Sequence, residues 1–423
     1  MNRYTQLLLL VSGLYFSSDT CNLQQKAVSA NDFKGGIYEG RFGGVDSVLT
    51  EANGRWTTGS TALVMKDGKV VYDKAFGKKD FEENISMQRS DIFRIASMSK
   101  PIVTAAAMVL VEQNKLNLND PLSKYVPAFK NMRVIKTFNE SDGSYTTEPA
   151  KAEITIQNLM THTSGIGYSF ANKRIATIYA KYSIPDVTTV KNTTIAETVD
   201  NLAKLPLAVQ PGTEFNYGLS TDVLGRVIEI VSGTSLDKFV TTHILEPLAM
   251  NDTYFFLPLD KSSRLSPLYY WIADGNLRRM TEDQFPDLNY PAKGARTYFS
   301  GGSGLCSTTA DYSKFLQMIL DKGEYQGKVI LKPETVARMT TGMVEMDKNH
   351  KFGLGLMLNT ESDKNLGIKA GKLSWSGAFN TFFWIDPQRR SVAILMTQVY
   401  PPDQRHILFN GFEQQVNKGL DSK

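Results

Sequence analysis

Cysteine is almost absent: the chain has two, Cys21 and Cys306, in 423 residues. No disulfide framework can hold such a protein together, so its stability has to come from a buried core. Charge of one sign is lacking too. Against 47 Lys plus Arg stand 43 Asp plus Glu, a formal net charge of +4. The basic residues are scattered singly, without the run or the aromatic-laced stripe that marks a nucleic-acid surface. The chain also has no apolar run long enough for a transmembrane span, which needs about 20 residues. Its four histidines, His162, His243, His350 and His406, stand apart from one another. With no HExxH pair and no cysteine cluster, neither a metal site nor a cofactor is expected. Fixed-period repeats, a heptad seam and low-complexity blocks are missing, which excludes solenoids and coiled coils.

What is present begins with MNRYTQLLLLVSGLYFSSDTC. One Arg, an apolar core from Leu7 to Phe16 and then small polar residues describe an export signal over residues 1–20, and hence a periplasmic or secreted protein. Cys21 stands where a lipid-modified cysteine would, a candidate membrane anchor, although Ser18, Asp19 and Thr20 make a poor processing site. A linker occupies residues 21–39 and runs into the Gly-rich GGIYEGRFGGV. The stretch TALVMKDGKVVYDKAFG then alternates apolar and polar residues about Asp67-Gly68, which predicts a tight hairpin. From Ser97 to about Asn114, apolar residues at nearly every turn predict a buried helix. Residues 115–300 show mostly helical spacing, with TDVLGRVIEIVSG an amphipathic helix ending at Gly233. FNTFFWIDP and SVAILMTQV read as strands about a turn at Pro387 to Arg390, and HILFNGFEQQVNKGL as a closing helix. Strands at both ends with helices between them predict an α+β fold: one antiparallel sheet built from both chain ends, flanked by helices, with a large helical insertion. On this reading residues 40–105 and 305–423 are two parts of an α/β domain and residues 106–304 a helical domain.

The stretch FRIASMSKPIVTAAAMVLVE sets a serine and a lysine three residues apart at the mouth of the buried helix. A lysine facing a core costs several kcal/mol, roughly, unless it is paired or loses its proton. Its presence therefore asks for a chemical reason. A spacing of three puts Ser97 and Lys100 on one helix face about 5 Å apart, within reach of a shared hydrogen bond. At a helix start, free N–H groups and the positive end of the dipole favour negative charge on a serine oxygen or a bound oxyanion. The same field, with burial, disfavours the ammonium and leaves an amine able to take the serine proton. Pro101 removes one N–H and restricts Lys100, which loosens where the cap falls. S-x-x-K occurs by chance in many chains, so its meaning depends on its company.

That company is FRIASMSK, LNLNDPLSKYVPAF, ITIQNLMTHTSGI, PGTEFNYGLSTDVLGRVIE, GGSGLCSTTADYSKFLQMIL and WSGAFNTFFWIDP. In this order and spacing the chain resembles the serine β-lactamase-like superfamily, in the branch holding class C β-lactamases, D,D-peptidases and β-lactamase-like carboxylesterases. The resemblance implies that Ser97 is acylated, that Lys100 accepts its proton, and that Tyr217, in FNYGLSTDVLG, assists. A phenol suits that role, because beside a cationic lysine its proton is easier to lose, and it can relay that proton to the leaving group. Also implied is an oxyanion hole from the N–H groups of Ser97 and Ala378. His162, in THTSG, then has nothing to do as a base; in the family this block is a structural turn near the site.

Two departures from the family bear on the substrate. Where β-lactamases of this branch carry K-T-G, the chain reads Trp375-Ser376-Gly377, so the lysine that faces a penicillin carboxylate gives way to an indole with one neutral donor. Losing such a charge-assisted contact costs roughly 1.5 to 3 kcal/mol, or one to two decades in affinity. Gly377 still lets a substrate lie close to the backbone. Leu219 stands where an Asn usually follows the tyrosine by two. Both changes remove polar recognition of an anionic, amide-flanked substrate, and a W-x-G motif resembles the esterase branch. The expectation is an exported serine hydrolase cleaving a neutral, fairly apolar, small-molecule acyl ester through an acyl-enzyme on Ser97. Trp375, Ser376, Gly377 and Leu219 are expected at the substrate, and Tyr269, Tyr270 and Trp271 are candidates for the pocket wall. The alternatives are a D-amino-acid peptidase or amidase, a weak β-lactamase, and a penicillin-binding-like sensor that traps an acyl group without turnover.

Overall fold

The computed structural model describes residues 40–272, 275–402 and 405–422; the expected export signal, the linker and Cys21 lie outside them. A nine-stranded antiparallel sheet organises the rest. From edge to edge its strands are Val344–Asp347, His350–Phe352, Met357–Asn359, Leu373–Gly377, Thr381–Asp386, Ser391–Met396, Gly59–Lys66, Lys69–Asp80 and Ile85–Ser86. The two ends of the chain meet in its interior, where Gly59–Lys66 pairs with Ser391–Met396, Thr61 opposite Met396 and Lys66 opposite Ser391. The predicted hairpin turns on Asp67 (φ 49°) and Gly68 (φ 74°), with Lys66 facing Lys69. Positive φ at both turn residues matches the right-handed twist of the strands it joins.

Helices cover both faces of the sheet, so successive residues of its inner strands serve two cores. Ala62, Val64, Trp384, Ala393 and Leu395 pack with Val45 and Leu49 of the Gly43–Ala52 helix and with Leu408 and Phe412 of the Arg405–Asp421 helix. Leu63, Met65, Phe383, Val392 and Ile394 face the main core, where the Thr309–Leu320 helix crosses the sheet. Strands buried on both faces read as continuous apolar runs, which is why SVAILM is so legible.

The helix expected from Ser97 starts differently: Ala96–Met98 form a 3-10 turn, and the α-helix proper is Ser99–Glu112. Pro101 falls in its first turn, where a missing N–H costs nothing. Eleven of its 14 residues are buried, so it runs inside the main core and not on its surface. The Ser220–Ser232 helix packs against it and ends on Gly233 in the left-handed conformation (φ 70°). Residues 106–304 are less uniformly helical than their spacing suggests. They contain two hairpins, Arg133–Phe138 with Tyr145–Pro149 and Tyr269–Trp271 with Leu277–Arg279. Each strand is a short run that periodicity alone does not separate from a helical turn. Among the described residues no helix is long and apolar enough to cross a membrane.

Candidate active site

The turn that carries Ser97 is held from several sides. Phe93–Arg94 pairs with Cys306–Ser307, and the Ile95 N–H donates to the Leu305 carbonyl at 3.1 Å. The Leu305 N–H donates to Ser99 Oγ at 3.0 Å, and the Tyr312 hydroxyl to the Met98 carbonyl at 2.8 Å. Arg94 directs its guanidinium to the carbonyls of Tyr290, Ser266 and Leu288 at 2.6, 3.0 and 2.7 Å. Burial pushes this cation down to about 10. Between these anchors Ala96 sits at φ 42°, a left-handed conformation that costs a non-glycine residue roughly 1 to 3 kcal/mol. Ala96 and Met98 are fully buried, while Ser97 between them stays partly exposed.

Ser97 Oγ accepts from the Tyr217 hydroxyl at 2.7 Å and shares a hydrogen bond with Lys100 Nζ at 3.1 Å. Lys100 is 0% exposed. Its other bonds go to the Gly302 carbonyl at 2.8 Å and the Tyr168 hydroxyl at 3.1 Å. The rings of Tyr217 and Tyr168 lie 4.7 and 5.2 Å from Nζ. All of these direct neighbours are neutral, so the amine shares its serine without a carboxylate bound to it. Such a group is placed to exchange a proton with Ser97 in a dry, preorganised setting.

Tyr217 enters from the loop ahead of the Ser220–Ser232 helix. The Asn216 N–H donates to the His162 carbonyl at 2.7 Å, and Gly218 lies so close to the Ile166 carbonyl that a Cβ would stand 1.9 Å from it. His162 packs its ring against Tyr217 at 4.8 Å and touches Phe215 and Phe352. Burial first, and Lys100 second, hold its imidazole well below the usual histidine range. No hydrogen bond joins it to Ser97 or Lys100. Of the other histidines, His243 stacks on Phe239 and His350 bonds Asp347. Cys306 is buried, which pushes its thiol up to about 12. Among the described residues no group of three or more His, Cys, Asp or Glu could hold a metal ion.

The third motif lies on the strand Leu373–Gly377. Trp375 meets Tyr217 edge-on at 5.6 Å and Phe352 at 5.0 Å, and its buried Nε1 has no hydrogen-bond partner among the described residues. Gly377 comes so near the serine turn that a Cβ would stand 2.4 Å from the Ile95 carbonyl. The next residue, Ala378, therefore shares an apolar cluster with Ala96. Among the described residues neither the Ser97 N–H nor the Ala378 N–H donates to a protein acceptor, which leaves both free for an oxyanion.

Other expected site residues lie elsewhere. Leu219 is 0% exposed in the main core, where an apolar side chain is drawn by burial. Ser376 pairs with Phe382. Directly opposed residues share a sheet face, and Phe382 packs toward the terminal helices, so the Ser376 side chain points away from Tyr217. Tyr269 is buried, and its hydroxyl accepts from the Phe81 N–H at 2.8 Å and donates to Glu82 at 2.6 Å, a packing role. Tyr270 packs in the cluster that holds Ala96, Ala378 and Phe379. Trp271 ends the hairpin strand opposite Leu277.

Three residues at the site were not singled out from the sequence. Tyr168 follows the THTSG block by four residues and bonds Lys100. Gly302 supplies the carbonyl to the same amine. Asp222, 0% exposed, accepts from Ser300 Oγ at 2.6 Å and from the Gly302 N–H at 3.2 Å. Burial pushes its carboxyl up, while Ser300 and Lys100 pull it down. An acid in the first turn of an expected helix, five residues after Tyr217, was the one visible sign.

The family model described as Beta-lactamase matches residues 45–416. The chain is 30% identical over 365 residues to Protein Rv1367c of Mycobacterium tuberculosis, covering 81% of this chain and 86% of that one. It is 28% identical over 376 residues to Esterase EstB of Burkholderia gladioli, covering 84% and 89%. Among solved structures it is similar to "EstCE1, a hydrolase with promiscuous acyltransferase activity", with a TM-score of 0.77 and 25% identity over 90% of this chain and 99% of that one.

Proposed function

Because the chain belongs to the β-lactamase family, and is a serine hydrolase by that membership, we propose that it cleaves carboxylic esters through an acyl-enzyme on Ser97. The observation that carries this reading is the buried Lys100 amine, bonded to Ser97 Oγ together with the Tyr217 hydroxyl. As the Ser97 oxygen bonds to the ester carbonyl carbon, its proton passes to the Lys100 amine and the carbonyl oxygen becomes an oxyanion. The N–H groups of Ser97 and Ala378 stabilise that charge. Collapse breaks the bond to the alcohol oxygen, which takes the Tyr217 proton; the lysine ammonium then reprotonates Tyr217. Water, or a second alcohol, attacks the acyl-enzyme by the same steps in reverse. Hydrolysis in EstB and acyl transfer in EstCE1, as their names describe them, differ only in that last acceptor.

The preference for a neutral ester rests on Trp375, which puts an aromatic wall beside Tyr217 where a lysine would favour a carboxylate. A p-nitrophenyl acyl series, nitrocefin and a D-Ala-D-Ala peptide test it together. Steady-state ester turnover with little β-lactam cleavage is the expected result. Faster turnover of nitrocefin or of the peptide would replace the reading with a β-lactamase or a peptidase. A stoichiometric burst with no steady state would make the protein an acyl-trapping sensor. Export by residues 1–20 belongs to the same proposal, and N-terminal sequencing of the mature protein from its own cells tests that part.

A further inference from the structure

The Lys100 amine has more neighbours than the reaction above uses. In the base form that the proposed reaction calls for, the amine has two N–H bonds and one lone pair, and the Gly302 carbonyl, which can only accept, takes one of those N–H bonds. The Gly302 peptide is itself fixed from behind, since its N–H donates to Asp222 Oδ1 at 3.2 Å. A Cβ on Gly302 would stand 2.5 Å from Asp222 Oδ2 and 2.8 Å from Tyr168 Oη. Glycine is therefore required here, and the carboxylate and the phenol converge on one point. Asp222 Oδ2 is buried, with no hydrogen-bond partner among the described residues. Tyr168 is 1% exposed, stacked on Phe170 at 4.7 Å and edge-on to Tyr217 at 5.2 Å.

We propose that Tyr168 and Asp222 form a positioning frame for Lys100: the phenol oxygen takes the second N–H, Asp222 anchors the peptide that takes the first, and the lone pair is left facing Ser97. The frame rests on the hydrolase reading above and adds two residues to it. Burial, with the Asp222 charge second, holds the Tyr168 hydroxyl well above the usual phenol range, so it stays a neutral acceptor. With Leu219 in the core, Tyr217 is the side chain of its block that bonds Ser97; the frame adds Tyr168 from HTSGIGY, the Gly302 carbonyl from SGGSG and, behind that peptide, Asp222 from Tyr217's own block. Once Lys100 has taken the serine proton, Asp222 is the buried negative charge that offsets the ammonium across the Gly302 peptide. The other titratable groups facing the frame are His162, Tyr217, Tyr290, Tyr298 and Asp186.

The test uses Tyr168→Phe and Asp222→Asn in the full chain, each also in an Asp186→Asn background, because Asp186 is a second carboxyl acting on Tyr168 and is raised by burial to about 6. Two readouts matter: the rate at which a fluorophosphonate labels Ser97, located by mass spectrometry, and the kcat/KM–pH profile with a p-nitrophenyl ester. Tyr168→Phe is expected to slow labelling and kcat by about ten- to a hundredfold with KM changed little, as for loss of one hydrogen bond to the ammonium that forms when Lys100 takes the serine proton. Asp222→Asn keeps the Oδ1 acceptor but removes the charge, so the ammonium that forms during the reaction is less favoured and the acid limb moves to lower pH. A purely structural role would lower activity without moving that limb. Wild-type labelling rates in Tyr168→Phe, with an unmoved limb in Asp222→Asn, would overturn the frame alone. A wild-type protein unlabelled at Ser97 would overturn the hydrolase reading and the frame with it. If Asp222→Asn fails to fold, the labelling rate of Tyr168→Phe decides.

Discussion

At the scale of single residues, legibility followed sequence distance. Ser97 and Lys100 could be paired because a spacing of three closes their contact within one helical turn. Tyr217, 120 residues away, could be placed only through the block around it. Tyr168 and Gly302 meet the same amine across 68 and 202 residues; one is a phenol and the other a backbone carbonyl, so their identities carry no signal. Leu219 and Ser376 went the other way, since their positions in motifs suggested contact while burial and strand alternation send their side chains elsewhere. The residues that bond Ser97 should separate cleanly on mutation. Ser97→Ala should lower ester turnover by at least about three decades yet shift urea unfolding by about 1 kcal/mol or less, because Lys100 keeps its bonds to Tyr168 and Gly302. Tyr217→Phe should cost about 10²- to 10⁴-fold in kcat, the range for a lost proton-transfer group. Turnover near wild type in either variant would remove that side chain from the mechanism.

At the scale of elements, the parts read well were those with one dominant local rule. Asp67-Gly68 sets a hairpin by backbone conformation, Gly233 ends a helix the same way, and SVAILM is apolar because it is covered on both faces. The hairpins within residues 106–304 were missed because short strands have too few residues to show a period. What no pattern could show is how closely the Trp375 strand approaches the serine turn. Two glycines test that closeness against a control. Gly377→Ala would drive a methyl against the Ile95 carbonyl and to 2.3 Å from Thr381 Oγ1. It should cost about 1 to 3 kcal/mol in urea unfolding and about 10²-fold or more in ester turnover, as the Ala378 N–H leaves its place. Gly68→Ala puts its methyl in open space at φ 74°, so it should cost about 1 kcal/mol or less of stability and leave turnover unchanged. Equal effects on turnover would mean that the strand does not position the oxyanion donor.

At the scale of the whole molecule, a sheet closed by both chain ends joins the active site to global stability, and the acid response shows the link. His162, 1% exposed beneath Tyr217, is held neutral well below the usual histidine range. The unfolded chain takes a proton on this residue near pH 6.5 that the folded one refuses. Its contribution is therefore present above that pH and lost as pH falls, by up to about 1.4 kcal/mol per unit. Asp186 acts with the opposite sign. Burial raises its carboxyl to about 6, so between about pH 6 and 4 the folded state binds the extra proton, and this group stabilises the fold as pH falls. Over that window the two oppose each other, and the native protein should lose stability only gradually. Asp186→Asn removes one side of the balance. Its unfolding free energy, from urea titrations at pH 7, 6 and 5, should fall more steeply with acid than that of the native protein. His162→Leu should instead flatten the native curve. If all three proteins share one slope, His162 is not kept neutral by the fold, and the dry surroundings argued for Lys100 lose their independent support.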